Sequence, residues 1–260
     1  MRGSRGRETG FARQRRPWWA RLVRLTVAVV AVVVCLSMAA FGTLLAITPS
    51  VHNARQIARD QVRDHHAAYP GPVVPARFAA ALKATEDHRF GSEPGIDPIA
   101  VARAGLGQID GNGDQGGATL YQQLAKMLYT PGRAGVGVEA EQVALAVKLR
   151  FSYSSAEILR LYSDVAYFGN GYYGLLAASC GYFGRRPARL SWPQAALLAG
   201  LVQGPSADDP VTAPARARAR EVHVIGRLVD TGELTSAQAR SALRTPVSGL
   251  LAHGGHGCRA

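Results

Sequence analysis

Residues 118–126 read ATLYQQLAK and follow a glycine-rich stretch, GNGDQGG, at 111–117. Leu120, Leu124 and Leu128 recur at helical spacing, so one face of this segment is apolar. The polar residues fall on the opposite arc: Thr119, Gln122, Gln123 and Lys126. An ordinary solvated helix face is one interpretation, but such faces more often carry several Glu and Lys. The pattern therefore predicts a helix that packs its leucines into a core, while its polar arc either lines a site or faces solvent.

The rest of the 260-residue chain shows the same periodicity from Pro75 onward. Segments with apolar residues at helical spacing are separated by loops that contain glycine or proline. No run alternates apolar and polar residues as a half-buried strand would. The expected fold class is therefore all-α, with one helical domain after the N-terminal region.

The N-terminal region combines a basic cluster with a long apolar run. Eight arginines lie within the first 24 residues, and residues 25–47 contain no charged side chain. A helix needs about 20 apolar residues to cross a bilayer, and a basic flank stays in the cytoplasm. A cleaved signal peptide is the alternative, although its apolar region is usually about 7–15 residues long. Both interpretations place the body of the chain outside the membrane.

Charge and cysteine usage exclude several classes of function. The net charge is +12, but the N-terminal arginines account for most of it. The body has no basic helix interleaved with aromatic residues, so a nucleic-acid partner is not expected. The histidines lack ligand spacing and the three cysteines form no CxxC motif, so neither a zinc site nor a disulfide framework is indicated. A single bridge between Cys180 and Cys258 stays open for an exported domain.

Two features of the body could carry chemistry. Glu86 and Asp87 fall where a helix gives way to a loop, and a carboxylate there can act as a general base if its surroundings tune it. A solvated helix end is the alternative. The helix after the glycine stretch begins with free N–H groups, which favour an anion such as a pyrophosphate.

Four motifs, spread over roughly residues 75–240, resemble the family 51 glycosyltransferases. This family comprises the peptidoglycan polymerase module of class A penicillin-binding proteins and the monofunctional transglycosylases. In order along the chain the motifs are TEDHRF at 85–90 with GID at 95–97, QGGATLYQQLAK at 115–126, SAEILRLY at 155–162 with YFG at 167–169, and AALLAGL at 195–201 with PS at 205–206. The resemblance implies a lysozyme-like helical glycosyltransferase domain.

With this resemblance, the chain divides into five parts. In order they are a basic cytoplasmic tail at 1–24, a transmembrane helix at 25–47, a stalk or linker at 48–74, the glycosyltransferase domain at 75–245 and a disordered tail at 246–260. The expected location is the cell membrane, crossed once, with the catalytic domain on the extracytoplasmic side.

The resemblance also implies an activity: polymerisation of lipid II into β-1,4-linked glycan, with inversion and release of undecaprenyl pyrophosphate. Glu86 matches the family's catalytic base, and Glu141 is the candidate for a second catalytic glutamate on the donor side. The expected partners are lipid II, the growing lipid-linked glycan, the membrane and a transpeptidase acting in trans. The residues implied in substrate binding are Asp87, Gln115, Gly116, Gly117, Thr119, Gln122, Gln123, Lys126 and Arg133.

The sequence also departs from the family pattern. An Arg-Lys pair expected before the next helix is missing, and the family glutamate aligns with Glu141 when counted from Arg133 but with Gln142 when counted back from 155–159. Glu93 stands where a histidine is common. No cofactor is firmly implied, and a divalent metal, Mg²⁺ or Mn²⁺, at Glu141 stays open. The alternatives are a catalytically impaired scaffold that binds lipid II and a lytic transglycosylase.

Overall fold

The computed structural model describes residues 18–96, 118–252 and 258, and the chain divides into two units, Met1–Ile47 and Thr48–Ala260. The described part of the first unit is one helix, α1, at Trp18–Ile47. Its segment Arg21–Ile47 is long and apolar enough, by length and composition, to cross a membrane. The helix starts earlier than the apolar run because no proline or glycine interrupts the residues before it.

The second unit is built from helices. They are α2 (Ala54–Asp64), α3 (Ala76–Glu86), α4 (Leu120–Tyr129), α5 (Val136–Ser152), α6 (Ser155–Val165), α7 (Leu175–Phe183), a short 3-10 helix (Pro187–Arg189), α8 (Trp192–Leu201), α9 (Pro214–Asp230), α10 (Ser236–Ala242) and α11 (Val247–Leu250). Within 18–96 and 118–252 extended pairing is limited to one isolated bridge, between Tyr167 and Tyr173. The prediction of an all-α domain is confirmed.

Helix α8 lies at the centre of the core. Every residue from Gln194 to Leu201 is buried, as expected for a helix that is apolar around its whole circumference. It begins with a capping box between Ser191 and Gln194. Helices α3 and α9 pack against it. At Gly200 a Cβ would lie 3.1 Å from the Cβ of Arg220, so the glycine allows α9 to approach closely.

Helix α4 joins this core through its leucine face. Leu120, Leu124 and Leu128 are all buried, which confirms the apolar side predicted from their spacing. Tyr121 is also fully buried, and its ring stacks on Phe90 in the loop after α3. Helices α5 and α6 pack against α4, so its polar arc is oriented by contacts on several sides.

The segment predicted as a stalk, 48–74, is part of the folded unit instead. Helix α2 buries Ala54, Ala58 and Val62, whose four-residue spacing forms a narrow apolar stripe. Two small alanines and one valine make a weak signal in a polar sequence, which explains why the sequence indicated a linker.

The C-terminal segment also departs from the sequence prediction. Residues 246–260 were expected to be disordered, but Val247 and Leu250 of α11 are buried, and the backbone N–H of Ala252 donates to the carbonyl of Tyr182 at 2.7 Å. A disulfide joins Cys180 on α7 to Cys258. The cysteine spacing did not predict this bridge, because the two thiols are brought together only by the fold.

Loss of this disulfide is expected to lower the melting temperature. The two cysteines are 78 residues apart, and a crosslink over a loop of this size typically stabilises a domain by about 2–4 kcal/mol, mainly by restricting the unfolded chain. Thermal unfolding of Cys258→Ser should show the loss, and Cys35→Ser, which removes the free cysteine of α1, is the matched control. Equal melting temperatures for the two variants would contradict the prediction.

Candidate active site

Glu86 is the last residue of α3, and its side chain is partly buried. Its Oε2 accepts a hydrogen bond from Nε2 of Gln123 on α4 at 2.9 Å. Burial raises the pKa of Glu86 above the ordinary carboxyl value, while the Gln123 hydrogen bond and the positive charge of Arg220 pull that pKa back down. The structure therefore gives Glu86 the tuned surroundings that a general base requires.

The amide of Gln123 is held from its other side by Tyr162 on α6. The Tyr162 hydroxyl donates to Oε1 of Gln123 at 2.8 Å, and the tyrosine is 2% exposed. Because Oε1 is occupied as an acceptor, the NH₂ group must face Glu86. Burial, and then the nearby charge of Glu86, raise the pKa of Tyr162 well above its usual value. The tyrosine therefore stays a neutral donor.

The sequence analysis did not assign Tyr162 or Arg220 to the site. Tyr162 closes one of the family motifs, but its spacing does not show that it would contact a glutamine 39 residues away. Arg220 lies on α9, far from every motif, and is one of many arginines on that helix. Only packing of α9 against α3 and α8 brings this charge near Glu86.

Asp87 links the end of α3 to the start of α4. Its Oδ2 accepts the backbone N–H of Leu120 at 3.0 Å, and the residue is 8% exposed. A carboxylate at this place satisfies one of the unpaired N–H groups of the first turn and interacts favourably with the helix dipole. This contact fastens the loop after α3 to the first turn of α4.

The side chain of Thr119 caps the start of α4. Its hydroxyl accepts from Gln122 N, Gln122 Oε1 accepts from Thr119 N, and the two residues form a capping box for α4. Thr119 Oγ1 also donates to the carbonyl of Gly95 at 2.8 Å, and the side chain is 2% exposed. Thr119 therefore ties a loop to α4, and its implied contact with substrate stays a prediction. The Thr-x-x-Gln spacing of a capping box was the signal that the sequence analysis missed.

Lys126 lies one helical turn after Gln123 and is exposed. Its ammonium group makes no hydrogen bond or ion pair with the described residues. It lines one end of a cavity of about 480 Å³ whose other walls are largely apolar or aromatic. The residues that form those walls include Val62, Met127, Val165, Tyr167 and Tyr173. Lys126 is thus a cation on the wall of a largely apolar cavity.

Arg133 and Glu141 bind each other. One guanidinium N–H of Arg133 donates to Glu141 Oε2 at 2.9 Å and a second to Oε1 at 3.5 Å. Gln142, which competes with Glu141 for the family position, donates to the hydroxyl of the buried Thr130. Across the described ranges no three His, Cys, Asp or Glu residues come together as a metal site. With a guanidinium as its partner, Glu141 does not fit a site for a divalent cation.

Three predicted binding residues, Gln115, Gly116 and Gly117, lie outside the described residues, as does Asp97 of the first motif. Among the described residues the structure brings Glu86, Asp87 and Gln123 together at the junction of α3 and α4. It places Lys126 on the same face of α4 and pairs Arg133 with Glu141.

Sequence comparison relates the chain to known proteins. A family model described as Transglycosylase matches residues 53–229. A Cupriavidus necator protein named as a transglycosylase is 34% identical over 174 residues, covering 67% of this chain and 75% of its own length. Penicillin-binding protein 1A of Streptococcus pneumoniae is 32% identical over 75% of this chain, which spans only 28% of that relative.

A solved structure, penicillin-binding protein 1A from Haemophilus influenzae, aligns with a TM-score of 0.42 at 21% identity, covering 69% of this chain and 18% of that one. The fold class itself rests on the helices described above. The family model spans well over half of the chain, and the relative from Cupriavidus necator is matched over three quarters of its length. The protein therefore belongs to the transglycosylase family, the peptidoglycan glycosyltransferases.

Proposed function

We propose that this protein polymerises lipid II into β-1,4-linked glycan strands and releases undecaprenyl pyrophosphate, with Glu86 as the general base. The observation that carries the proposal is the hydrogen-bonded chain from Tyr162 through Gln123 to Glu86. It holds one carboxylate at a helix end in a partly buried place, which is what base catalysis at a sugar hydroxyl needs.

In the proposed reaction Glu86 takes the proton of the 4-hydroxyl on the acceptor's N-acetylglucosamine. The oxygen then attacks C1 of the donor's N-acetylmuramic acid from the side opposite the leaving group. The new C1–O bond forms as the bond from C1 to the pyrophosphate breaks, so the configuration inverts and undecaprenyl pyrophosphate departs. Because Gln123 occupies Oε2 of Glu86, the other oxygen is available to the acceptor hydroxyl.

Lys126 is proposed to stabilise the departing pyrophosphate. Negative charge develops on this group as the bond breaks, and a cation placed there lowers the barrier. The apolar cavity beside Lys126 suits the first isoprene units of the lipid. Arg133, oriented by Glu141, supplies a second cation on the donor side.

We further propose that α1 anchors the enzyme with its N-terminus in the cytoplasm and the second unit outside. The arginine cluster before the apolar run supports this orientation. The Cys180–Cys258 bridge supports it independently, because disulfides persist in oxidising compartments outside the cytoplasm. A transpeptidase acting in trans is the proposed partner that would crosslink the product.

The pH dependence of the rate is expected to report the state of Glu86. A general base works only when ionised, so the rate should rise with pH through the pKa of Glu86, which burial places above the ordinary carboxyl value. Gln123→Met removes the hydrogen bond that lowers this pKa, so its rising limb should move to higher pH. This shift can be tested by determining kcat/KM from initial rates between pH 4.5 and 8 for the wild type and for Gln123→Met. Superimposable profiles would contradict the role given to Gln123.

The decisive experiment incubates the detergent-solubilised full chain with labelled lipid II, with and without Mg²⁺ or Mn²⁺, and resolves the glycan on a gel. Moenomycin, which is expected to occupy the donor site of this family, serves as the control. Polymer that moenomycin suppresses would support the proposal. Soluble fragments released from sacculi would indicate a lytic enzyme, and binding of lipid II without polymer would indicate the scaffold.

A further inference from the structure

Glu93 lies in the loop after α3, and its carboxyl group is buried next to that of Asp87. The residue is 5% exposed, and neither carboxyl oxygen accepts a hydrogen bond from the described residues. Beside it lies Asp87, which is 8% exposed and accepts the backbone N–H of Leu120. Two carboxyl groups buried next to each other cannot both carry a charge without compensation.

No described N–H donor reaches the Glu93 carboxyl oxygens. Arg150 on α5 donates to the carbonyl oxygens of Glu93 and Gly91 instead, at 3.0 and 2.9 Å. The charges of Arg89 and Arg150 lower the pKa of Glu93, but they do not cancel the effects of burial and of Asp87 that raise it. Among the described residues, the other titratable groups that face the pair are His88 in the same loop, Glu86 at the end of α3 and Tyr121 on α4.

Burial, followed by the Asp87 carboxylate, raises the pKa of Glu93 to about 8. The Leu120 N–H at the start of α4 favours the charged form of Asp87, so of the two groups Glu93 is the one that keeps the proton. A neutral carboxyl group next to a carboxylate can donate a strong O–H···O⁻ hydrogen bond.

We propose that Glu93 is a positioning residue that holds a proton and shares it with Asp87, thereby clamping loop 87–96 onto the first turn of α4. The clamp joins Asp87, the neighbour of Glu86, to helix α4, which carries Gln123 and Lys126. The bond from Thr119 to Gly95 and the two bonds from Arg150 fasten the same loop at other points. Release of the Glu93 proton would place two negative charges side by side and loosen the loop.

This arrangement predicts a specific pH dependence of stability. The unfolded chain releases the Glu93 proton near the ordinary carboxyl value of 4.5, whereas the folded chain holds it to about 8. Between these values the folded state binds more protons, so stability falls as pH rises through that window. Glu93→Gln supplies an N–H donor that cannot ionise, so its melting temperature should fall less over the same range.

The first test measures melting temperatures of the full chain from pH 5.5 to 8.5 for wild type and Glu93→Gln. The wild-type decline is expected to exceed that of the variant by roughly 4–8 °C. Glu233→Gln makes the same chemical change at an exposed position and should follow the wild-type curve. Parallel curves for wild type and Glu93→Gln would overturn the proposal.

The second test measures polymerisation, and its interpretation rests on the proposed function. Wild-type kcat should fall above about pH 8, Glu93→Gln should keep its rate there, and Glu93→Leu, which lacks a donor, should lose roughly tenfold at pH 7. An alkaline decline shared by wild type and Glu93→Gln would overturn the positioning role. If no variant makes polymer, the proposed function fails, while the melting curves still decide whether the proton is shared.

Discussion

Glu86→Gln is expected to reduce polymerisation of lipid II by about 10²–10⁴-fold, the usual contribution of a general base. The amide has nearly the shape of the carboxylate, so the packing at the end of α3 should survive. It cannot accept the proton of the acceptor hydroxyl, however. Initial rates of glycan formation would measure the loss, and circular dichroism would show whether the helices remain.

The matched control for this change is Glu233→Gln, which also converts a glutamate to a glutamine but at an exposed position after α9. It should polymerise like the wild type. Lipid II binding by Glu86→Gln should also persist, because the base contacts the reacting hydroxyl and not the pyrophosphate. Polymer formed by Glu86→Gln at the wild-type rate would remove Glu86 from the mechanism.

Much of the candidate site could be predicted from periodicity and motif spacing. The leucine spacing of α4 fixed which side faces the core, and the place of Glu86 at a helix end was evident from the sequence. Local sequence patterns could not distinguish polar residues that bind a substrate from polar residues that cap the helix. Thr119 and Gln122 fit a binding face and a capping box equally well, and only the burial of Thr119 decides for the cap.

The features that the sequence did not reveal depend on contacts between distant residues. Tyr162 and Gln123 are 39 positions apart, and Cys180 and Cys258 are 78 apart. Helix α2 was taken for a stalk because its buried stripe is narrow, and its place in the core depends on the helices that cover it. Such contacts depend on how the helices pack against each other, and local patterns in a single sequence do not show which residues will meet.

The missing Arg-Lys pair bears on how the donor site handles negative charge. The cationic side chains that the structure describes on α4 and α5 are Lys126, Lys148 and Arg150. Lys148 donates to the carbonyl oxygens of Thr48 and Pro49, and Arg150 holds the loop after α3. Arg133, in the loop between the two helices, is paired with Glu141. Lys126 is therefore the cation on these helices whose donors are all available to a substrate.

Lys126→Ala is accordingly expected to lower kcat by about 10²–10³-fold, the typical cost of removing a group that stabilises developing negative charge. The lysine is exposed, so the melting temperature should change little. Lys126→Arg keeps the charge and should recover part of the rate. Arg240→Ala, which removes an exposed cation from α10, is the matched control and should polymerise normally.

The effect of Lys126→Ala should concentrate on the donor side. Single-turnover rates measured at saturating acceptor separate bond breaking from acceptor binding, and the loss should be found in the bond-breaking step. Raising the pH only removes protons from the leaving pyrophosphate and supplies no replacement cation, so it should not rescue the variant. Normal donor turnover by Lys126→Ala would mean that Arg133, and not Lys126, stabilises the leaving pyrophosphate. Glu141 would then have to release the Arg133 guanidinium when substrate binds.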